Sequence, residues 1–186
     1  MERGTIADLT SPDEPRRRVA FEAVFSEMAP LVSRIAWHIL GDRGRAEDVA
    51  QETFLQVWRH AGKWRGEGTL EAWILTIATN LCRRTLVRDA RRRRAMASHP
   101  PASAQVATES ASATERDDIA RRIQDSLARL SPEQRVAVTL SCVQGLSGRE
   151  IARILGCKEG TVWSRVWHAK RRLASLLGGL DEDHQP

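Results

Sequence analysis

Two stretches of the 186-residue chain place cations, indoles and hydroxyls at helical spacing with few acids among them. Between Gly160 and Leu177, positions Trp163, Ser164, Arg165, Trp167, His168, Lys170, Arg171 and Arg172 follow one another with no carboxylate after Glu159. Between Lys63 and Arg84 the set is Lys63, Trp64, Arg65, Trp73, Thr76, Asn80, Arg83 and Arg84. These groups hold anions, read base edges and stack on bases. They do not make a nucleophile with its base. The five histidines are scattered and the chain has no tyrosine, which removes a tyrosine nucleophile of the recombinase kind. No Ser/His/Asp order, HExxH or phosphate-binding GxxxxGK[ST] occurs, so no catalytic residue is assigned. Cys82, Cys142 and Cys157 show no metal-ligand spacing. They are expected to be reduced thiols, Cys82 and Cys142 in apolar helical surroundings, with no metal and no cofactor.

Helices must position these residues. The segment LSPEQRVAVTLSCVQGLSGREIARILGCKEGTVWSRVWHAKRRLASLL, from Leu130 to Leu177, carries two helix starts. Ser131-Pro132-Glu133-Gln134 offers a capping serine with Pro at the first helical position, and Ser147-Gly148-Arg149-Glu150 is a capping box. Ile151, Ile154 and Leu155 form a short buried stripe that Gly156 ends in a left-handed turn. A new helix starts near Lys158. Its inner face is Val162, Val166, Ala169, Leu173, Leu176 and Leu177, and its outer face is the basic, indole-bearing set. A short helix, a tight turn and a longer basic helix make a helix-turn-helix.

The rest of the chain is also helical by pattern. Residues 1–18 are polar, with Pro12 and Pro15, and read as a loose arm. A helix from Phe21 to Leu40 is expected to be kinked or divided at Pro30. The helix RAEDVAQETFLQVWRH buries Val49, Ala50, Thr53, Phe54, Val57 and Trp58. Its other side carries Asp48, Gln51, Glu52, Leu55 and Arg59. Leu55 ringed by polar groups is either an ordinary exposed leucine or a small protein-docking patch. After the glycine-rich loop AGKWRGEG, a long helix buries Leu70, Ile74, Ile77, Ala78 and Leu81, with Thr76, Thr79, Asn80, Arg83 and Val87 on its far side. Small polar residues with prolines fill 96–117, a flexible linker by composition. The chain is therefore expected to be all-α, with two small helical domains at 19–95 and 118–178 and an acidic tail at 179–186. The net charge of +5 is concentrated at Arg83–Arg94 and Arg165–Arg172, which favours a nucleic-acid partner. No apolar span is long enough to enter a membrane, and a cytoplasmic location is expected.

Both modules resemble one family. AEDVAQETFLQVWRHAGKWRGEGTLEAWILTIATNLCRR and the Leu130–Leu173 text are similar to the two conserved parts of an extracytoplasmic-function sigma factor, in the family's order. The resemblance implies a transcription initiation factor that docks on core RNA polymerase through Asp48, Gln51, Glu52, Leu55 and Arg59. It implies that Lys63, Trp64, Arg65, Trp73, Thr76, Asn80, Arg83 and Arg84 read the opened minus-ten promoter element. It implies that Arg149, Thr161, Trp163, Ser164, Arg165, Trp167, His168, Lys170 and Arg171 meet duplex minus-thirty-five DNA. An anti-sigma protein is the implied regulatory partner. Trp163 departs from the basic residue common among relatives. The competing readings are a helix-turn-helix regulator acting without polymerase, which leaves the first module unexplained, and an enzyme.

If 96–115 serves only as a tether, an equal-length Gly/Ser chain in its place preserves promoter-specific transcription. Loss of transcription with both modules still folded would show that the tether makes contacts of its own.

Overall fold

The structure is a computed structural model and describes residues 7–64, 68–98 and 115–178. Among them no strand forms. Seven main helices follow in order: α1 Glu14–Leu40, α2 Arg43–His60, α3 Leu70–Ser98, α4 Glu115–Ala128, α5 Pro132–Gln144, α6 Gly148–Leu155 and α7 Glu159–Leu177. A short 3-10 turn, Ala61–Lys63, follows α2.

In α1 the apolar residues recur at three and four positions, so Ala20, Val24, Met28, Val32, Ile35, Ala36 and Ile39 share one buried face. Pro30 does not divide this helix. It lies on the exposed side, where water can satisfy the carbonyl that its missing N–H leaves free. The helix ends at Gly41, whose φ of 71° lets its N–H turn back to Trp37 O at 2.8 Å. The expected loose arm at 1–18 is corrected for its second half. Leu9 is 2% exposed within a helical turn, and α1 already begins at Glu14. Arg17 lies 4.0 Å over the Trp58 ring and donates to Trp58 O at 2.7 Å, so an apolar anchor and a cation–π contact hold this part in place. Phe21 meets Trp58 edge-on at 5.1 Å, and Arg45 pairs with Asp89 to tie α2 to α3.

The core stripe of α3 is rotated from the expected one. Leu70, Ile74 and Ala78 are buried, but Ile77 and Leu81 are only half-buried. Leu75, Thr79, Cys82 and Leu86 are buried in their place. The cause is tertiary: α3 is packed by α1 and α2 and also by α5 and α6. A second apolar face is therefore covered that no periodicity count assigns to a core. Burial pushes the Cys82 thiol up to about 12. Cys142, expected among apolar neighbours, is exposed.

The C-terminal unit, α4–α7, starts its helices as its residues dictate. Ser131 and Gln134 make a capping box with Pro132 just inside it, and Ser147 and Glu150 make another. A small cluster of Leu127, Leu130, Val138 and Ala169 binds α4, α5 and α7. The remaining buried apolar residues of this unit, including Val136, Leu140, Ile151, Ile154 and Val162, belong to the same continuous core as α1–α3. Arg135 fixes the joint. Its guanidinium donates to Ala128 O at 2.7 Å and to Ile39 O at 3.0 Å. The expected boundaries shift slightly, since α3 runs to Ser98 and α4 starts at Glu115. Residues 99–114, most of the expected linker, and the expected tail at 179–186 lie outside the described residues.

His38 sits on the same joint. Gln124 Nε2 lies 3.4 Å from its Nδ1, so the neutral ring can accept the amide N–H there. Burial, and then the charge of Arg34, hold its pKa below the ordinary 6.5. An unfolded chain therefore takes up this proton at a higher pH than the folded one. Stability is expected to be level above pH 6.5 and to fall as pH drops from 6.5 toward the lower folded value. Thermal melts of the parent and His38→Gln across pH 5.5–8 check this. An equal slope in both would place the titrating group elsewhere.

Candidate nucleic-acid interface

The helix-turn-helix is built from α6, its turn and α7. Ser147 Oγ accepts from Glu150 N at 3.3 Å, while Glu150 Oε2 accepts from Ser147 N at 2.8 Å and from Ser147 Oγ at 2.6 Å. The Ser147 hydroxyl, and then the Ser147 backbone N–H, hold the exposed Glu150 carboxyl below its ordinary range. Gly156, at φ 62°, reverses the chain, and the Cys157 N–H returns to Ala152 O at 3.0 Å. Lys158 is the N-cap of α7 without a side-chain cap bond, and Thr161 N donates to its carbonyl at 2.9 Å.

The faces of α7 separate as the spacing requires. Val162, Val166 and Ala169 are buried, with Leu173, Leu176 and Leu177 half-buried. Trp163, Ser164, Trp167, His168, Lys170, Arg171 and Arg172 are exposed. Trp167 is 52% exposed and does not turn back into the bundle. Its ring meets His168 at 4.8 Å, nearly perpendicular, and the Arg171 guanidinium lies 4.8 Å over it. These three side chains thus form one cluster. Arg165 differs from the rest. It is half-buried, and its Nη1 points to Cys157 Sγ at 3.8 Å. Thr161 is half-buried, and Arg149 is exposed on α6.

Trp163 is seated by a glycine that sequence reasoning valued only as part of a cap. A Cβ at Gly148 would lie 3.0 Å from the Trp163 indole. The indole therefore spans from α7 to the first turn of α6, yet is 58% exposed. The signal was present in the sequence as a Gly inside a helix start, but its partner fifteen residues on was not.

The second set gathers around α3. Trp73, Thr76 and Asn80 are half-buried, and Arg83 and Arg84 are exposed. Thr76 Oγ1 donates to Ala72 O at 2.8 Å, and Arg83 Nη2 donates to Asn80 Oδ1 at 3.1 Å. Thr79, read as outward-facing, is 2% exposed and donates to Leu75 O at 2.7 Å, because other helices cover that side. Arg83, Arg84, Val87, Arg88 and Arg91 line an open groove of about 460 Å³, joined by Glu133 from α5. Trp64 is half-buried beside the 3-10 turn; the Lys63 side chain and all of Arg65 lie outside the described residues.

On α2, Asp48, Gln51, Leu55 and Arg59 are exposed along one side, Leu55 at 47%. Glu52 is half-buried and accepts from Gln56 Nε2 at 2.9 Å. Phe25 of α1 is exposed, with its ring 4.8 Å from Phe54. It adds apolar surface that helical spacing on α1 alone hid. Among the described residues no cluster of His, Cys, Asp or Glu could hold a metal, and no helix is long and apolar enough to cross a membrane.

Comparison with known proteins agrees with this division. Residues 24–93 match the model of sigma-70 region 2, and residues 120–173 match that of sigma-70 region 4. The chain is 35% identical over 175 residues to the ECF RNA polymerase sigma factor SigM of Mycobacterium tuberculosis, covering 94% of this chain and 86% of that protein. It is 34% identical over 164 residues to the RNA polymerase sigma factor CarQ of Myxococcus xanthus, covering 87% and 91%. Among solved structures, the sigma factor RpoE of Bartonella quintana, crystallised with the anti-sigma factor NepR, aligns with a TM-score of 0.67 at 26% identity, over 87% of this chain and 98% of that one. CnrH, solved with the cytosolic domain of CnrY, shares the fold with a TM-score of 0.68 at 20% identity, over 95% and 97%.

The Gly148 seat generates a test. Gly148→Ala adds a methyl where the Trp163 ring lies at 3.0 Å, so the ring must move by a few tenths of an ångström. The backbone there needs no left-handed conformation, so helix stability should not fall; Ala is favoured over Gly by about 1 kcal/mol within helices. The expected outcome is an unchanged or raised Tm with altered ranking of duplex DNA sequences, by about 1 kcal/mol at the affected base pair. Ranking identical to the parent's would remove Trp163 from base reading.

Proposed function

Since the chain belongs to the extracytoplasmic-function family of RNA polymerase sigma factors, which are transcription initiation factors, we propose that it docks on core polymerase and carries it to a defined set of promoters. The observation that most supports a DNA-reading role is the outer face of α7. Trp163, Ser164, Trp167, His168, Lys170 and Arg171 stand exposed there with no acid among them. A helix N-terminal half that carries indoles and a hydroxyl suits base edges and thymine methyls, and a C-terminal half that carries cations suits phosphates. This face reads the minus-thirty-five element as duplex, aided by Arg149 and Thr161. Arg165, drawn toward Cys157, must swing outward to reach a base.

The turn and helix that carry Lys63, Trp64, Arg65, Trp73, Thr76, Asn80, Arg83 and Arg84 read the minus-ten element once its strands part. Asn80 offers a donor and an acceptor, the indoles offer stacking surface, and the arginines hold the backbone. A base leaving the stack costs less after the strands separate. Asp48, Gln51, Glu52, Leu55 and Arg59 form the polymerase-docking patch. The protein performs no chemistry of its own, works in the cytoplasm and is controlled by an anti-sigma protein. The crystallised complex of the Bartonella quintana relative with NepR supports the last point.

Transcription with core polymerase on genomic templates tests this reading. The parent is expected to give discrete start sites, and core polymerase without it none of them. Leu55→Ala is expected to keep full helicity yet compete poorly for core, losing about 2 kcal/mol if Leu55 is a binding hot spot. Duplex binding with no polymerase-dependent transcript would instead make the chain a helix-turn-helix regulator.

A further inference from the structure

Resting on that reading, we infer that Cys157 is a specificity-positioning residue: its thiol holds the Arg165 guanidinium back from the reading face of α7, so that indoles and a hydroxyl lead that helix onto the bases. The outer side of α7 carries two neighbouring rows. Trp163, Trp167 and Lys170 stand in one, at four- and three-residue steps, and Thr161, Arg165, His168 and Arg172 stand in the other. From Trp163 onward, each member of these rows is exposed except Arg165, which is half-buried. Its Nη1 donates to Cys157 Sγ at 3.8 Å, a contact that reaches back eight positions. Side chains on a helix lean toward its N-terminus, so this backward reach follows the natural direction of the arginine stem.

The thiol is the fixed half of the pair. Gly156 reverses the chain at φ 62°, and Ala152 O accepts from the Cys157 N–H at 3.0 Å. Cys157 also packs against the core that holds Ile151, Ile154 and Val162. The guanidinium is the half that can move. Sulfur is a weak acceptor, so a well-placed base edge can displace it. Where no such edge is offered, the thiol keeps the arginine at the turn.

The place of Arg165 on the helix gives this tie its consequence. Arg165 lies in the second turn of α7, in the half that a helix-turn-helix turns toward base edges. Lys170, Arg171 and Arg172 come later, where the backbone is met. A free guanidinium in the second turn suits guanine, through O6 and N7 together. Held at the turn, it leaves this half to Trp163, Ser164 and Trp167. Those side chains offer apolar surface to thymine methyls and no bidentate partner to guanine. The residue type at 157 thus sets how strongly guanine is preferred, without itself touching DNA.

The test uses core polymerase loaded with the full chain and promoter duplexes varied singly across the minus-thirty-five element. Cys157→Ala is expected to raise the preference for guanine over the other bases at one position by at least threefold. Cys157→Val, which fills the turn without an acceptor, is expected to do the same. In an Arg165→Ala background, neither change should re-rank the duplexes. A shift below threefold, or one that persists without Arg165, would overturn the inference. So would re-ranking by the alanine variant alone when both variants fold, since lost volume would then be the cause. A purely structural cysteine would lower the Tm and weaken every duplex alike, which also counts against it. Either variant suffices if the other does not fold. Discrimination by the parent with unmoved cysteine variants sinks this inference and leaves the proposed function intact. Absence of any minus-thirty-five preference in the parent sinks both.

Discussion

The burial of one helical unit against the side of another governs the rest of this structure. Neither unit is large, and small domains bury too little apolar surface to be strongly stable alone. By packing α5 and α6 on α1 and α3, the chain extends a single core through both. Each fully buried aliphatic side chain there, such as Leu75, Leu140 or Ile151, contributes about 1.5–3 kcal/mol before entropy is counted. Arg135 sits in this joint at the edge of burial, and its guanidinium meets two backbone carbonyls that lie at helix ends. Those carbonyls have no partner within their own helices, and a cation near a helix C-terminus is favoured by the helix dipole.

That joint also explains what could be read from residues and what could not. Local chemistry was legible. Both capping boxes, the Gly156 reversal and the inner and outer faces of α7 follow from neighbours within a few positions. So did the two-part family pattern, since each part is a contiguous run. The failures concern groups that are distant in sequence. Thr79 and Leu75 are buried because a unit some sixty positions later covers them, and α3's own periodicity carries no record of it. Leu9 and Arg17 were read as part of a loose arm because a polar, proline-bearing stretch gives no sign that the core takes in Leu9 or that Trp58 awaits Arg17. Pro30 was read as a kink or a break because the cost of a lost hydrogen bond is visible in sequence, and the solvent that offsets it is not.

The surface groups show a similar division. Which residues of α7 face outward was fixed by spacing, but how they meet one another was not. Arg165 and Arg171 look equivalent in sequence, yet one turns to Cys157 and the other lies over an indole. The Trp163 seat on Gly148 depends on the tight turn that brings α6 and α7 together. The outward side of α2 was easier to read, because Asp48, Gln51, Leu55 and Arg59 all lie on one helix.

The Arg171 guanidinium over Trp167, with His168 against the same ring, joins a cation and an aromatic plane into one unit on the outer face of α7. An arginine already confined against an aromatic plane loses less rotational freedom when it grips a phosphate than one waving in solvent. The ring in turn is held in one orientation by its charged neighbour. A change in either residue therefore alters the setting of the other. Substitutions at these two positions are consequently expected to be non-additive in their effects.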